Sequence, residues 1–318
     1  MFRLCIIMRA DNNDRGENVL VHNSNKRFSV GLNLSDEEDT IIAFLDKYCD
    51  YLTSVYFSLP LGLPYYSRKA LIQEYESSEN QEKLLRVCSY MKKLGIHREA
   101  AINKSNMTCS EIEQGIKYLK TYLPDVEEIV CLQEYARTLK EAFPHAELKY
   151  SFNNMTIRFD HTFDTYVLGK RYLRDMERRH EVLGQGFEVV LLLNNGCSFN
   201  CFAHICNPKD CQRVFRQNLE RKSLDYLYAE QSFFPSELSR LQSGDPESYR
   251  YRFKLSTRPA TTQMTSDMLD AYLGAIPEKE ILRDYQHFCY FGALNRFTRR
   301  AQDLNLEQIY SYKQQMSV

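Results

Sequence analysis

The sequence predicts an α/β fold, a (β/α)8 barrel of the TIM type with a helical C-terminal extension. Apolar runs typical of strands alternate with segments of helical periodicity, a pattern that indicates a parallel sheet covered by helices. About eight such units in roughly 250 residues match a closed barrel better than the alternative, a doubly wound open sheet. We therefore expect a barrel domain over residues 1–275 and a helical extension over 276–318 that packs on it.

The predicted strands are short runs rich in β-branched, aromatic and other apolar residues. The first is RFSVGLN (27–33), and the most apolar is FEVVLLL, which opens the seventh strand. A continuous apolar run of this kind is typical of a strand buried on both faces. In chain order the predicted strands span 27–33, 52–62, 97–104, 127–132, 147–154, 165–170, 187–195 and 251–257.

The predicted helices follow most of these strands. Ser35 is the expected N-cap of the first helix, because acidic residues follow it in the first turn. Gly95 and Pro124 mark the ends of the second and third helices. The predicted helices span 35–49, 82–95, 109–124, 133–144, 174–186 and 266–274.

The composition excludes some classes of protein. The 318 residues carry 41 basic and 42 acidic side chains, and a net charge of −1 gives no reason to expect nucleic acid or an anionic membrane as a partner. No apolar run reaches the roughly 18–20 residues that span a bilayer. The start, MFRLCIIMRADNNDRGEN, has no small-residue cleavage site, so we interpret it as structure rather than a signal peptide. We expect a cytoplasmic protein with reduced thiols.

A cluster of cysteines follows the seventh predicted strand. The segment NNGCSFNCFAHICNPKDC (194–211) has the spacing C-x3-C-x4-C-x4-C and holds four of the chain's 10 cysteines. That density argues against chance, and the expected reducing compartment argues against disulfides. Because the catalytic residues of TIM barrels lie at the C-terminal ends of the strands, a cluster here favours a functional metal centre. The predicted ligands are Cys197, Cys201, Cys206 and Cys211.

Two metal centres fit these thiols. A [4Fe-4S] cluster takes four thiolates at varied spacings, and this is the interpretation that we favour. Zinc is the alternative, although the paired C-x2-C hooks common in structural zinc sites are absent. The ligand set is open at one position, because His204 or a distant thiol, Cys131 or Cys289, could replace one of the four.

Several segments resemble barrel proteins related to the collagenase-like peptidase family U-32. LLLNNGCSFNC (191–201) resembles an N-E-G-C-x-x-N-C-like segment that ends the penultimate strand of those relatives, with Asn195 where Glu is usual. FKLSTR (253–258) and DAYLG (270–274) resemble the last strand and the helix after it, and SVYFSLPLG (54–62) and TYVLGKRYLRDMERR (165–179) look similar too. The resemblance covers roughly residues 27–275 of the chain. The peptidase signature of the family is not clearly present.

The resemblance implies an iron–sulfur enzyme that performs redox or oxygen-independent hydroxylation chemistry on a small or nucleobase-like substrate. Two alternatives remain open: a peptidase-like hydrolase with a structural metal, and a non-catalytic binding protein with a zinc clip. A partner subunit or homo-oligomer is compatible with each of them. The sequence contains no dinucleotide fingerprint, P-loop, zincin or nucleophile-elbow motif, so nucleotide cofactors and serine-hydrolase chemistry have no support.

Polar residues at predicted strand ends are the candidates for substrate binding. Arg258 follows the last strand and could bind an anionic group with both guanidinium nitrogens. Amides end the fifth and seventh strands, and a cation follows the sixth. The predicted substrate-binding residues are Arg258, Asn153, Asn154, Asn195 and Lys170. Each has an alternative interpretation as an ordinary turn or surface residue, and no catalytic residue is assigned.

Overall fold

The computed structural model describes the chain over residues 26–61, 77–104, 106–151, 158–168, 173–193, 233–255 and 261–275. Strands and helices mostly alternate through these residues. The strands are β1 (Phe28–Gly31), β2 (Leu52–Ser58), β3 (His97–Ile102), β4 (Glu128–Cys131), β5 (Glu147–Ser151), β6 (Thr165–Leu168), β7 (Glu188–Leu192) and β8 (Tyr251–Lys254). The helices are α1 (Glu38–Tyr48), α2 (Ser78–Lys93), α3 (Cys109–Tyr122), α4 (Gln133–Ala142), α5 (Met176–Gly184), α6 (Pro235–Gly244) and α7 (Thr262–Tyr272).

The eight strands form a closed barrel in chain order, and every neighbouring pair is parallel. Closure is made by β1, which pairs with β2 on one side and with β8 on the other. The predicted fold class, a (β/α)8 barrel, is therefore confirmed. The doubly wound sheet, which has two open edges, is excluded. The division at residue 275 stays a prediction, because residues 276–318 lie outside the described part of the chain.

The helices pack around the barrel on an apolar layer formed by the outward-facing residues of the strands. Val30, Val55, Leu148 and Leu191 are completely or almost completely buried in this layer. Removing such side chains from water is the main favourable contribution to folding, at about 25 cal/mol per Å² of apolar surface. The outer layer therefore supplies the ordinary hydrophobic core of the fold.

Local signals account for most helix boundaries, and several sequence expectations need correction. Thr108 and Glu111 form a reciprocal capping box at the start of α3. The first helix is capped at Glu37, without a side-chain hydrogen bond, rather than at the predicted Ser35. The second begins at Ser78, four residues before the predicted start, because Ser77 caps it by accepting from the backbone N–H of Asn80. Helix α6, between β7 and β8, was not predicted at all.

The first and last described helices are joined where the barrel closes. The hydroxyl of Tyr48 donates to Asp270 Oδ1 at 2.7 Å, and Lys47 Nζ lies 2.8 Å from Asp270 Oδ2. These contacts tie α1 to α7 and hold β1 beside β8. None of the helices in the described ranges combines the length and the apolar character that crossing a membrane requires.

Candidate functional site

The inward-facing side chains of the barrel stack in layers of four, each layer drawn from alternate strands, as is usual for this fold. The strand registers define three such layers from the C-terminal to the N-terminal end of the barrel. We call them the floor layer (Tyr56, Val130, Val167, Lys254), the middle layer (Ser29, Glu99, Lys149, Val190) and the lower layer (Ser54, Glu128, Thr165, Arg252).

Charged groups occupy positions that branched apolar residues normally fill in a TIM barrel. Glu99 and Glu128 are fully buried, and the side chain of Lys149 is 2% exposed. Lys149 Nζ donates to Glu99 Oε2 at 2.8 Å and also to Glu128 Oε2. Lys254 Nζ donates to the other oxygen of Glu99. The middle of the barrel is therefore an ion network that joins four strands.

The network continues towards the N-terminal end of the barrel. Arg252 Nη1 donates to Glu128 Oε1 at 3.2 Å, and its other terminal nitrogen donates to Thr165 Oγ1 at 2.8 Å and to Glu147. His97 Nδ1 lies 3.0 Å from Glu128 Oε1, and the His97 side chain is 47% exposed. The network thus reaches solvent at the N-terminal face through His97.

Neighbouring charges set the ionisation of the buried acids. Burial alone would raise the pKa of Glu99, but the ammonium groups of Lys149 and Lys254 outweigh it and hold the pKa at about 2. Burial likewise opposes ionisation of Glu128, whose pKa is lowered to about 2 by Lys149, His97 and Arg252. Both carboxyl groups are therefore anions at neutral pH.

The two buried lysines differ in their electrostatic environment. Burial lowers the pKa of each, but Lys149 faces two carboxylates, which reverse the effect and raise its pKa. Lys254 has one carboxylate partner and also meets the repulsion of Lys149, so burial prevails and its pKa is lowered. Lys254 Nζ lies 4.1 Å from the centre of the Tyr56 ring, which adds a cation–π contact. Of the two, Lys254 gives up its proton more easily.

One further layer of inward positions lies above the floor layer, towards the C-terminal mouth of the barrel. The next inward positions on the odd-numbered strands are Gly31, Ala101, Ser151 and Leu192. Three of these residues are small, so their own side chains cover little of the floor layer. Ser151 Oγ accepts a hydrogen bond from Asn103 Nδ2 at 3.1 Å, which brings an amide to the rim. The mouth therefore has an apolar floor with one ammonium group and polar groups at its edge.

The ends of β7 and β8 lie side by side at this mouth. Leu192 is paired with Lys254, and the backbone N–H of Leu193 donates to the carbonyl oxygen of Lys254 at 3.0 Å. Cys197 follows Leu193 by four positions in the sequence. The strand that leads into the cysteine-rich segment therefore ends next to the ionisable residue of the floor layer.

All of the predicted ligands and substrate-binding residues lie outside the described residues. The structure accordingly leaves these predictions untested: Cys197, Cys201, Cys206 and Cys211 as ligands, and Asn153, Asn154, Lys170, Asn195 and Arg258 as substrate contacts. The same holds for the possible substitute ligands His204 and Cys289. Within the described ranges, no group of three or more His, Cys, Asp or Glu side chains is arranged to hold a metal ion.

Cys131 is the exception, because its position is described. It is fully buried in the outer apolar layer, and burial strongly raises the pKa of its thiol. Its neighbour Val130 faces the barrel interior, as Glu128 two positions before Val130 does. Cys131 therefore faces the helices rather than the mouth, and its suggested role as a replacement ligand is wrong on this geometry.

Three histidines, His97, His161 and His180, have partners in the fold that the sequence does not reveal. His97 meets Glu128, and His180 Nε2 lies 2.8 Å from Asp245 Oδ1. Asp245 also accepts from Arg179 and Tyr251, so this second cluster joins α5, the end of α6 and β8. His161 stacks on Phe187 at 5.0 Å between ring centres. The His180 hydrogen bond and the His161 ring contact lie outside the ion network of the barrel interior, whereas His97 belongs to it.

Comparison with known proteins adds little to this geometry. No protein-family model matches the sequence, and no curated protein matches it either.

Among solved structures, the U32 peptidase Mk0906 is similar over 78% of this chain and 96% of its own, with 11% identity and a TM-score of 0.40. The tryptophan synthase alpha subunit of Legionella pneumophila is similar over 80% and 87%, with 8% identity and a TM-score of 0.44. The pneumococcal virulence factor StrH is similar over 89% of each chain, with 9% identity and a TM-score of 0.45. These similarities are weak and concern the fold alone.

Proposed function

We propose that the protein is a barrel enzyme that binds an iron–sulfur cluster through Cys197, Cys201, Cys206 and Cys211 at the C-terminal mouth. The proposed chemistry is redox or oxygen-independent hydroxylation of a small or nucleobase-like substrate. One observation carries the proposal: β7 belongs to a closed parallel barrel and ends at Leu192, five positions before the first of the four thiols. The C-terminal ends of the strands form the catalytic face of this architecture.

The chemistry of the donor set agrees with the cofactor. Four cysteines within 15 positions supply the complete thiolate set of a [4Fe-4S] cluster, which would provide electron transfer or an open iron site when bound. Zinc accepts the same donors. We favour the cluster because a redox centre gains from facing substrate, whereas a structural zinc ion has no need of the catalytic face. The motif LLLNNGCSFNC (191–201), which resembles relatives of the U-32 family, supports the same choice.

The residues of the mouth would bind and orient the substrate. Val130, Val167 and the Tyr56 ring would form the apolar floor beneath the substrate, and Lys254 would offer one ammonium proton beside them. Asn153, Asn154, Lys170, Asn195 and Arg258 are the proposed polar contacts, since they follow β5, β6, β7 and β8. Arg258 would neutralise an anionic group of the substrate.

Metal analysis of protein purified without oxygen tests the proposal. We expect a brown protein that contains iron and acid-labile sulfide, and Cys197→Ala and Cys206→Ala should abolish the colour. Cys109→Ala is the matched control, because Cys109 is exposed at the start of α3. A colourless protein with about one zinc ion per chain would refute the cluster and favour the zinc-clip alternative. Loss of colour in Cys109→Ala as well would refute the ligand set.

A substrate assay separates the enzyme classes. Oxygen-sensitive activity that disappears in Cys197→Ala is expected for the proposed function. Hydrolysis of a peptide in air that survives in Cys197→Ala would instead identify the peptidase-like alternative, with the metal in a structural role.

A further inference from the structure

Five side chains form an unbroken series of hydrogen bonds through the barrel interior, which we call the interior chain: His97, Glu128, Lys149, Glu99 and Lys254. His97 Nδ1 lies 3.0 Å from Glu128 Oε1, and Lys149 bridges Glu128 to Glu99, reaching Glu99 Oε2 at 2.8 Å. Lys254 completes the series at Glu99 Oε1. In each carboxylate, one oxygen faces the preceding group and the other faces the next.

The two ends of the interior chain lie at opposite ends of the barrel. His97 is the first residue of β3, and about half of its side chain is exposed at the N-terminal face. Lys254 is the last residue of β8 and belongs to the floor layer. The members between them are at most 2% exposed, so they have no direct access to solvent. The series therefore joins solvent at one face to the floor of the mouth at the other.

Charges of both signs meet along and beside the interior chain. Glu99, Glu128 and Glu147 face Lys149, Lys254 and Arg252, with Glu188 close enough to Arg252 to act on its charge. Thr165, Ser29 and Ser54 donate to or hydrogen bond with these groups as neutral partners. A buried ion network is a poor source of stability compared with apolar packing of the same volume. Stability alone thus gives little reason for charges at these positions.

We propose that the interior chain conducts protons between solvent at the N-terminal face and the C-terminal mouth. The step begins when Lys254 gives a proton to a base at the mouth. Lys149 then passes a proton to Glu99 and Glu99 passes it to Lys254, while His97 protonates Glu128 and Glu128 reprotonates Lys149. Each carboxyl group rotates about its Cγ–Cδ bond between receiving and releasing the proton. His97, an imidazolium at the start, has then lost the proton on Nδ1; its ring turns so that Nδ1 takes a proton from water and then turns back. All five groups thus return to their first state and one proton has crossed.

The residues at the two ends of the interior chain suit this task. Histidine has an ordinary pKa near 6.5, so it exchanges protons with water at neutral pH. Lys254 stands at the delivering end, and burial lowers its pKa. The inference goes beyond the proposed function, because the interior chain exists independently of any metal. It would supply protons that redox or hydroxylation chemistry at the mouth consumes.

Hydrogen exchange at the lysine ammonium groups tests the proposal in the full-length protein. With 15N-labelled lysine, the Lys254 and Lys149 signals are assigned by their loss in Lys254→Met and Lys149→Met. Transfer of magnetisation from water then gives the rates at which the two ammonium groups exchange hydrogen with water, whether exchange is slow or fast. We expect His97→Gln to slow exchange at both sites by a factor on the order of ten to a hundred, because an amide cannot relay a proton. His180→Gln is the matched control, since His180 also pairs with a carboxylate but lies off the interior chain.

Three results of the exchange measurement in these variants would overturn the proposal. An unchanged Lys254 rate in His97→Gln means that protons reach Lys254 from the mouth. If His97→Gln slows exchange at Lys149 but not at Lys254, the conclusion is the same. If His180→Gln slows exchange as much as His97→Gln does, the slowing reflects a general change in the fold. Added imidazole provides a second measurement, because it should restore exchange in His97→Ala if the imidazole group itself is needed; failure to restore it contradicts the proton path. The measurement does not depend on metal content, so its outcome is separate from that of the cluster.

Discussion

In the middle of the barrel, the inner and outer faces of the same strands are buried to a similar degree but have opposite chemistry. In β5, Leu148 and Tyr150 face the helices within the apolar layer, whereas Lys149 faces the barrel interior among carboxylates. Both faces exclude water almost completely. The outer face is held by non-directional apolar contacts that tolerate substitution of similar volume. The inner face is held by directional ion pairs, so a single loss there leaves a charge without its partner.

The largest loss of stability is expected when the ion pairs at the centre of the inner face lose their shared lysine. Lys149→Met removes the shared partner of Glu99 and Glu128 and leaves one excess buried negative charge. We expect a loss of about 3–5 kcal/mol in the free energy of unfolding. The matched control is Lys92→Met, whose partner Asp125 is exposed and whose pair should contribute less than about 1 kcal/mol. Urea unfolding measures the loss in free energy for both variants. Equal losses would contradict the claim that the buried ion network contributes more than a surface ion pair.

The contrast between the two faces also explains what could be predicted from the sequence. Parallel strands covered by helices were recognisable because the outward apolar residues of eight segments recur with helical segments between them. The inner ion network was missed because charges in a strand are normally assigned to a solvent-exposed face. A signal was present: HREAAI, ELKYS and YRFK carry charged or ionisable residues two positions apart, and in a closed barrel covered by helices such a polar face can only point inward.

Partner choice within the network could not be predicted, because it depends on register. Arg252 meets Glu128 and Glu147 across the barrel, at sequence separations above one hundred residues. The position of Cys131 shows the same limit, since a shift by one residue would move its thiol from the helices to the interior. The cysteine cluster, in contrast, was conspicuous from spacing alone, and its predicted place after the seventh strand agrees with the observed end of β7 at Leu192.

A smaller loss in the free energy of unfolding is expected when a charged residue of the floor layer is replaced. Lys254→Met leaves Glu99 with its contact to Lys149 and with hydroxyl groups of Ser29 and Ser54 within 3.4 Å. Because burial lowers the pKa of Lys254, holding its charge already costs free energy, and methionine restores much of the packing. We expect a loss of about 1–3 kcal/mol. Urea unfolding beside Lys149→Met checks the order, and a cost for Lys254→Met equal to that of Lys149→Met would show that the two layers are not distinct.

The smallest effect is expected at the exposed end of the network and depends on pH. The hydrogen bond to Glu128 raises the pKa of His97 above its ordinary value of about 6.5. A raised pKa in the folded protein means that the contact stabilises it fully below the ordinary pKa, and that this stability is lost as pH rises through the raised value. Glu128 remains an anion throughout, because its pKa is about 2.

The free energy of unfolding of the wild type should therefore exceed that of His97→Gln most clearly near pH 5, by roughly 0.5–1 kcal/mol for a half-exposed pair. The difference should shrink as the pH approaches 8. Urea titrations of the two proteins at a series of pH values measure it. A difference that grows with pH would mean that the neutral imidazole is the favoured partner of Glu128, and it would remove His97 from the charged network that distinguishes the inner face of this barrel.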